Sequence, residues 1–354
     1  MEKVVLIDGN NLIFRSYYAT AYRGELLTNS KGLPTNAIYA YVQMLLKIIA
    51  EEKPTHIMVA FDKGKTFRHE SYDDYKGGRN ETPNDLKVQI PYAKQITRAM
   101  GITVEEIENY EADDIIGTYS KKIEKEVLVV SSDRDLLQLI SPNVKMKLLK
   151  MKDFIYYDEK KFYEDYGIKP IEIIDLKALM GDSSDNIKGV ARIGEKTALK
   201  LIKEYHTLDN LYNNIDSIKG KIKDNLINDK ESAYKSLELA TIYLSVPIEV
   251  NLEKIVFKGS NEEELNSLLK ELEFTSLFSK MKLKKEEEKL NIEIVEDNNF
   301  SLNEDYSLYL VSSNLSYFKS ITIGVAISTK NKNYFIKKEY FNDNLTELSM
   351  GMSN

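Results

Sequence analysis

Lys3-Val4-Val5-Leu6-Ile7-Asp8 holds four consecutive apolar residues and stops on a carboxylate. A strand with one wet face would alternate polar and apolar residues. An unbroken apolar run reads instead as a strand covered on both faces, as in a parallel sheet. The same pattern recurs in His56-Ile-Met-Val-Ala-Phe-Asp62 and Val127-Leu-Val-Val-Ser-Ser-Asp133. Between these runs, apolar residues return at three- and four-residue spacing over 37–51, 84–100 and 112–124, the period of amphipathic helices. The alternation predicts an α/β fold with a central, mostly parallel, doubly wound sheet flanked by helices. Ligands of such sheets bind outside the carboxyl ends of the strands, the edge to which Asp8, Asp62 and Asp133 are assigned.

The remaining composition restricts the chemistry. There is no cysteine and there are only three histidines, so disulfides and thiolate sites are excluded and any metal must be held by oxygen. No apolar run reaches eighteen residues and no signal sequence is evident, so a cytoplasmic protein without a membrane partner is expected. The net charge of −7 argues against a nucleic-acid partner unless the basic residues are gathered locally.

Past the three strands the pattern turns helical, notably over 171–180, 196–205 and 232–244. Residues 1–175 are expected to form the α/β domain and 176–280 a helical subdomain. The run Lys282-Leu-Lys-Lys-Glu-Glu-Glu-Lys289, with no apolar face, reads as a solvated linker over 281–290. Residues 291–354 alternate in strand fashion but are few for an independent fold, which suggests an incomplete domain.

Acidic residues recur beyond the strand ends. Glu111-Ala-Asp113-Asp114 opens a helix, Asp135 follows Asp133 by two positions, and Asp182-Ser-Ser-Asp185 would present both carboxylates on one face if that turn is helical. Like charges a few ångströms apart repel by on the order of 1 kcal/mol or more per pair unless cations neutralise them. Two Mg²⁺ or Mn²⁺ ions are the natural remedy, because these hard ions prefer carboxylate and water and can clamp a phosphodiester for in-line attack by water. The bland alternative is that these acids merely cap helices.

The segment 63–92 has no sustained apolar face and reads as surface. Lys63, Lys65, Arg68, Lys76 and Arg79 offer phosphate contacts there, and Phe67, Tyr72 and Tyr75 offer stacking surfaces. This local field answers the charge objection. Lys188-Gly-Val-Ala-Arg-Ile-Gly-Glu-Lys-Thr-Ala198 reads as a helix-hairpin-helix whose second helix could take a phosphate on its first amides, helped by Lys196 and Lys200. It is not a P-loop, because Glu195 separates Gly194 from Lys196-Thr197.

Taken in order, Val5-Leu-Ile-Asp-Gly-Asn-Asn, Phe61-Asp62, Phe67-Arg-His-Glu, Tyr75-Lys-Gly-Gly-Arg79, Tyr110-Glu-Ala-Asp-Asp-Ile, Ser132-Asp-Arg-Asp-Leu, Met180-Gly-Asp-Ser-Ser-Asp-Asn and Gly194-Glu-Lys-Thr-Ala resemble the 5′-nuclease domain of bacterial DNA polymerase I and the wider flap endonuclease superfamily, over about residues 1–280. The resemblance implies a PIN/resolvase-like sheet with a helical arch at about 63–92 and a helix-hairpin-helix in the helical subdomain. It implies a 5′-3′ exonuclease and 5′-flap endonuclease acting in replication and repair. Asp8, Asp62, Glu111, Asp113, Asp114, Asp133, Asp135, Asp182 and Asp185 would be metal ligands, and Lys76 and Arg79 catalytic cations at the foot of the arch. DNA contacts are expected at Arg15, Lys65, Arg68, Tyr75, Gly189, Arg192, Gly194, Lys196, Thr197 and Lys200, with a monovalent cation at the hairpin. Flapped or nicked DNA and RNA primers would be the partners of a monomeric bacterial protein placed at the nucleoid by its DNA. Relatives usually carry glycine where Arg192 stands, so strain or an added phosphate contact is expected there. The tail from about Asn291 resembles the start of the 3′-5′ exonuclease-like domain that follows in these polymerases, without the Asp-x-Glu motif of proofreading.

Two other classes share some of these features. A PIN-type ribonuclease would have the strand-end aspartates without needing arch or hairpin, and a non-catalytic DNA-binding module has no use for nine clustered acids. An aspartyl phosphatase would need Asp-x-Asp after its first strand, where this chain has Asp8-Gly-Asn10.

Overall fold

The computed structural model describes residues 2–21, 26–150, 153–281, 291–296, 305–312 and 321–340. The linker expected at 281–290 lies outside them, Met281 excepted. The chain forms two compact units, Met1–Leu283 and Lys284–Asn354.

The first unit is built on a six-stranded sheet in the order Thr103–Glu105, His56–Ala60, Lys3–Asp8, Glu126–Ser131, Val144–Leu149, Phe154–Tyr157. Its first five strands are parallel and the last is antiparallel. The unbroken apolar runs have the expected cause. Val4, Leu6, Met58, Ala60, Val127 and Val129 enter one core, and Val5, Ile7, Ile57, Val59, Leu128 and Val130 enter the other. The helix Ala112–Lys122 covers the first face, with Ile115, Ile116 and Tyr119; the helices Gly9–Thr20, Asn36–Glu52 and Ile90–Ala99 cover the second. Gly9 lets the first of these begin directly at the strand's end. A Cβ there would stand 2.6 Å from the Phe61 ring and 2.7 Å from Val59, closer than atoms pack.

Several elements differ from the sequence reading. The runs ending at Asp62 and Asp133 are strands only to Ala60 and Ser131, so both aspartates stand on loops two residues past the sheet. Residues 84–100 form two helices, Asn84–Lys87 and Ile90–Ala99, because Pro91 has no N–H to give to Lys87 O and its ring crowds that carbonyl. The strand Val144–Leu149 was hidden by Lys145 and Lys147. Lys147 is nevertheless buried, its Nζ 2.6 Å from both Glu51 and Glu52. The segment after Asp62 is only partly surface: Arg68 and Tyr75 are buried.

Helices Ile173–Met180, Glu195–Tyr205 and Lys230–Ala240 pack beneath the first face of the sheet. The second unit is a four-stranded sheet, Tyr306–Ser312, Thr322–Thr329, Asn333–Lys337 and Ile292–Val295, around Val295, Val325, Ile327 and Ile336. Among the described residues no helix is long and apolar enough to cross a membrane.

Candidate active site

Asp8 ends its strand and caps the next helix, accepting from Asn11 N–H at 2.9 Å and from Ser131 Oγ at 2.9 Å. Burial pushes its carboxyl up to about 7, and Asp62 and Asp133 add repulsion. Burial likewise raises Asp113, the charges of Asp8 and Asp133 adding to it, and raises Asp133 itself. The end of Lys3–Asp8, the loops of Asp62 and Asp133 and the first turn of Ala112–Lys122 therefore gather these acids into one electrostatic cluster. Asp62 is held from two sides, by Ala112 N–H at 2.8 Å and by the Asn10 amide at 2.7 Å.

A second group lies around Tyr75. Its hydroxyl is 3.2 Å from Glu111 Oε2 and 3.3 Å from Asp185 Oδ2. Lys76 Nζ donates to Glu111 Oε1 at 2.7 Å, and Arg79 pairs with Asp185 while its Nε donates to Ser184 O at 3.2 Å. Burial alone would lower the Lys76 pKa, but Glu111, Asp185 and Asp62 hold it above the ordinary lysine range. Lys76 and Asn186 both have a φ of 57°, a left-handed backbone unusual for non-glycine residues and frequent at functional sites.

Asp135 and Asp182 share Lys177, which donates to Asp182 Oδ2 at 2.7 Å and also contacts Asp135. Burial works against ionisation of Asp182, yet Lys177 and the Ser184 hydroxyl and amide hold its carboxyl down at about 2. Sequence reasoning passed over Lys177; the signal was a lone basic residue inside the largely apolar stretch of Ile173–Met180. It also passed over Asn10 and Asn11.

Four expectations are corrected by burial and bonding. Arg68, expected on phosphate, is 3% exposed and forks both guanidinium nitrogens onto Asp114 at 2.8 Å, with further bonds to Leu239 O and Thr241 O. Asp114, expected on metal, is fully buried, its oxygens taken by Arg68, Glu111 N–H and Tyr243 N–H. Tyr75 has no exposed face on which to stack a base. Gly189 donates its amide to Ser236 Oγ at 3.0 Å and accepts from Ser232 Oγ at 2.7 Å, leaving nothing for DNA. Its φ of 63° and the 2.3 Å that a Cβ would leave to Gly181 N explain the glycine. The turn 182–185 is not helical; a bridge between Asp182 and Ile187 closes it.

Of the other expected DNA contacts, Lys65, Arg192, Gly194, Lys196 and Lys200 are exposed, and Thr197 is half-buried in the first turn of Glu195–Tyr205. Arg15 is half-buried, its guanidinium on Lys150 O. Arg192 adopts the left-handed conformation, φ 62°. Among the described residues no three acids or histidines are placed as a set that could hold a metal ion as they are, and Lys76, Arg79, Lys177 and Arg68 pair with Glu111, Asp185, Asp182 and Asp114.

Residues 3–167 match the family model of the 5′-3′ exonuclease N-terminal resolvase-like domain, and residues 168–263 that of the 5′-3′ exonuclease C-terminal SAM fold. DNA polymerase I of Bacillus caldotenax is 42% identical over 354 residues, covering 96% of this chain and 40% of that protein. The chain thus spans two-fifths of the length of this curated relative. Among solved structures, T5 5′-exonuclease with bound divalent metal ions (zinc) has a TM-score of 0.58 at 24% identity, over 77% of this chain and 99% of that one. The catalytic core of Rad2 in complex with DNA substrate has a TM-score of 0.53 at 16% identity, over 79% and 93% of the two chains. Both likenesses are of fold. With its resolvase-like sheet, its SAM-fold subdomain and its match to DNA polymerase I, the chain belongs to the 5′-3′ exonuclease family and corresponds to the 5′-nuclease part of that polymerase.

Proposed function

We propose that this chain hydrolyses phosphodiester bonds at 5′ flaps and 5′ ends of DNA, and of RNA primers paired to it, using two Mg²⁺ or Mn²⁺ ions. The observation that carries the reading is the repulsion of Asp8 by Asp62 and Asp133, and of Asp113 by Asp8, Asp133 and Glu111, beside the carboxyl edge of a parallel sheet, with Lys76 on Glu111 and Arg79 on Asp185. Their kind fits the ions: every donor is a carboxylate oxygen, and burial raises the proton affinity of Asp8 and Asp113, with the charge of Asp133 adding to both. Asp8, Asp62, Asp113 and Asp133, with Glu111, Asp135, Asp182 and Asp185, would hold them. When bound, such ions supply the positive charge that polarises a phosphodiester for in-line displacement by water.

Lys76 and Arg79, less buried than Lys177 and Arg68, are the cations assigned to exchange a carboxylate for a phosphate. The divalent ions of the T5 enzyme and the DNA of the Rad2 core support this reading. The test is cleavage of labelled 5′-flap DNA in Mg²⁺ beside EDTA. Cutting near the junction only with metal is expected; binding without cutting would leave a DNA-binding module.

Duplex is assigned to the hairpin, where Arg192, Lys196 and Lys200 are exposed and the helix Glu195–Tyr205 begins without a side-chain cap. Arg192 puts a fixed charge where a monovalent cation would otherwise serve. Arg192→Gly relieves a left-handed backbone, so stability should change by no more than about 1 kcal/mol. The slope of log affinity against log salt for duplex should fall by about one. An unchanged slope would remove Arg192 from the interface.

A further inference from the structure

We propose that Asn10 and Asn11 are positioning residues that set the acidic loops in register around Asp8, an inference that rests on reading the acidic cluster as a metal site. The sheet's hydrogen-bond ladder does not do this, because it ends at Ala60 and Ser131, short of Asp62 and Asp133. Something past the ladder must hold those loops.

The helix Gly9–Thr20 begins at Asp8, and consecutive residues of a helix point about 100° apart. Asn10 and Asn11 therefore reach different neighbours from one turn. Asn10 turns to the loop after His56–Ala60. Its Nδ2 donates to Asp62 Oδ2 at 2.7 Å, and its Oδ1 accepts from Asp62 N–H at 3.3 Å. Asn11 turns to the loop after Glu126–Ser131. Its Oδ1 accepts from Ser132 N–H at 2.9 Å and Ser132 Oγ at 2.6 Å, while its own N–H donates to Asp8 Oδ1. Ser131 Oγ closes the circuit, donating to Asp8 Oδ2 and accepting from Asp133 N–H at 3.0 Å.

Two loops distant in sequence are thus tied to the start of one helix through two adjacent side chains. The Asn10 amide donates and accepts at once, and both amides are uncharged and add nothing to the repulsion among the acids. Without Asn10, Asp62 Oδ2 loses its donor and the carboxylate is held only through Oδ1 on Ala112 N–H.

Mn²⁺ titrated calorimetrically into the whole chain without DNA tests the brace, with flap cleavage measured in parallel. Asn10→Ala and Asn11→Ala should each weaken Mn²⁺ binding about tenfold or more, the usual effect of removing a partner that orients a metal ligand. kcat should fall by a similar factor while KM for flap DNA stays within about twofold. Should an alanine variant fail to fold, the serine variant of the same position provides the readings. Unchanged Mn²⁺ affinity and kcat in both variants, with Asp62→Ala weakened in the same titration, would overturn the brace alone. If Asp62→Ala binds Mn²⁺ as the unsubstituted chain does, the metal reading falls and the inference with it.

Discussion

Asp8→Asn is expected to reduce metal-dependent cleavage roughly a thousandfold or more and, in the same protein, to raise the stability of the metal-free state at neutral pH. Both effects come from one buried carboxylate. Unfolded, an aspartate ionises near 3.8; in the fold, burial and the charges of Asp62 and Asp133 carry Asp8 to about 7. Between those values the folded chain binds more protons than the unfolded one, so stability must fall as pH rises through the window, the loss being complete above about 7. The difference, at 1.36 kcal/mol per unit, is on the order of 4 kcal/mol. Asparagine imitates the protonated acid: it can still accept from Asn11 N–H and can donate to Ser131 Oγ, and it never ionises. Urea titrations in EDTA at pH 4.5, 6 and 7.5 should show stability dropping across the series for the unsubstituted chain and much less for the variant. Divalent ions should restore the loss in the former and far less in the latter. A variant that still cuts would show that Asp8 is not a ligand, and one whose stability follows pH as before would show that Asp8 is not the source of the pH dependence.

The reach of the sequence ended where partners distant in the chain decide a residue's surroundings. Lys3–Asp8 was legible because burial on both faces leaves a local mark, an unbroken apolar run. Val144–Leu149 was not, because Lys147 breaks its run and is answered by Glu51 and Glu52 from a helix nearly a hundred positions away. Acidic residues were legible as a group because repeated carboxylates at strand ends are unusual, but their roles were not. Asp114 and Asp113 are neighbours in an identical motif, and only the fold separates the one spent on Arg68 from the one left in the cluster. Arg68 and Tyr75 had a surface composition around them and nonetheless went inside, since their polar ends meet Asp114, Glu111 and Asp185 there.

Arg68→Met should lower thermal stability by about 3–5 kcal/mol, roughly 10 °C in Tm, and leave the salt dependence of DNA binding untouched. Methionine keeps much of the apolar volume of the side chain but removes the fork on Asp114, whose carboxylate is fully buried and keeps only the amides of Glu111 and Tyr243. Leu239 O and Thr241 O lose their donor as well, so the end of Lys230–Ala240 is released from the start of Ala112–Lys122. Glu111 and Asp113 flank that start, so cleavage should fall with stability even though Arg68 touches no substrate. The charge explanation makes a further demand. Replacing Asp114 by leucine together with Arg68→Met removes both buried charges, and the double variant should be more stable than Arg68→Met alone because no unpaired carboxylate remains. If Arg68 instead met a phosphate, the single variant would keep its Tm and lose about one from the salt slope; that result would return it to the DNA interface from which its burial removes it.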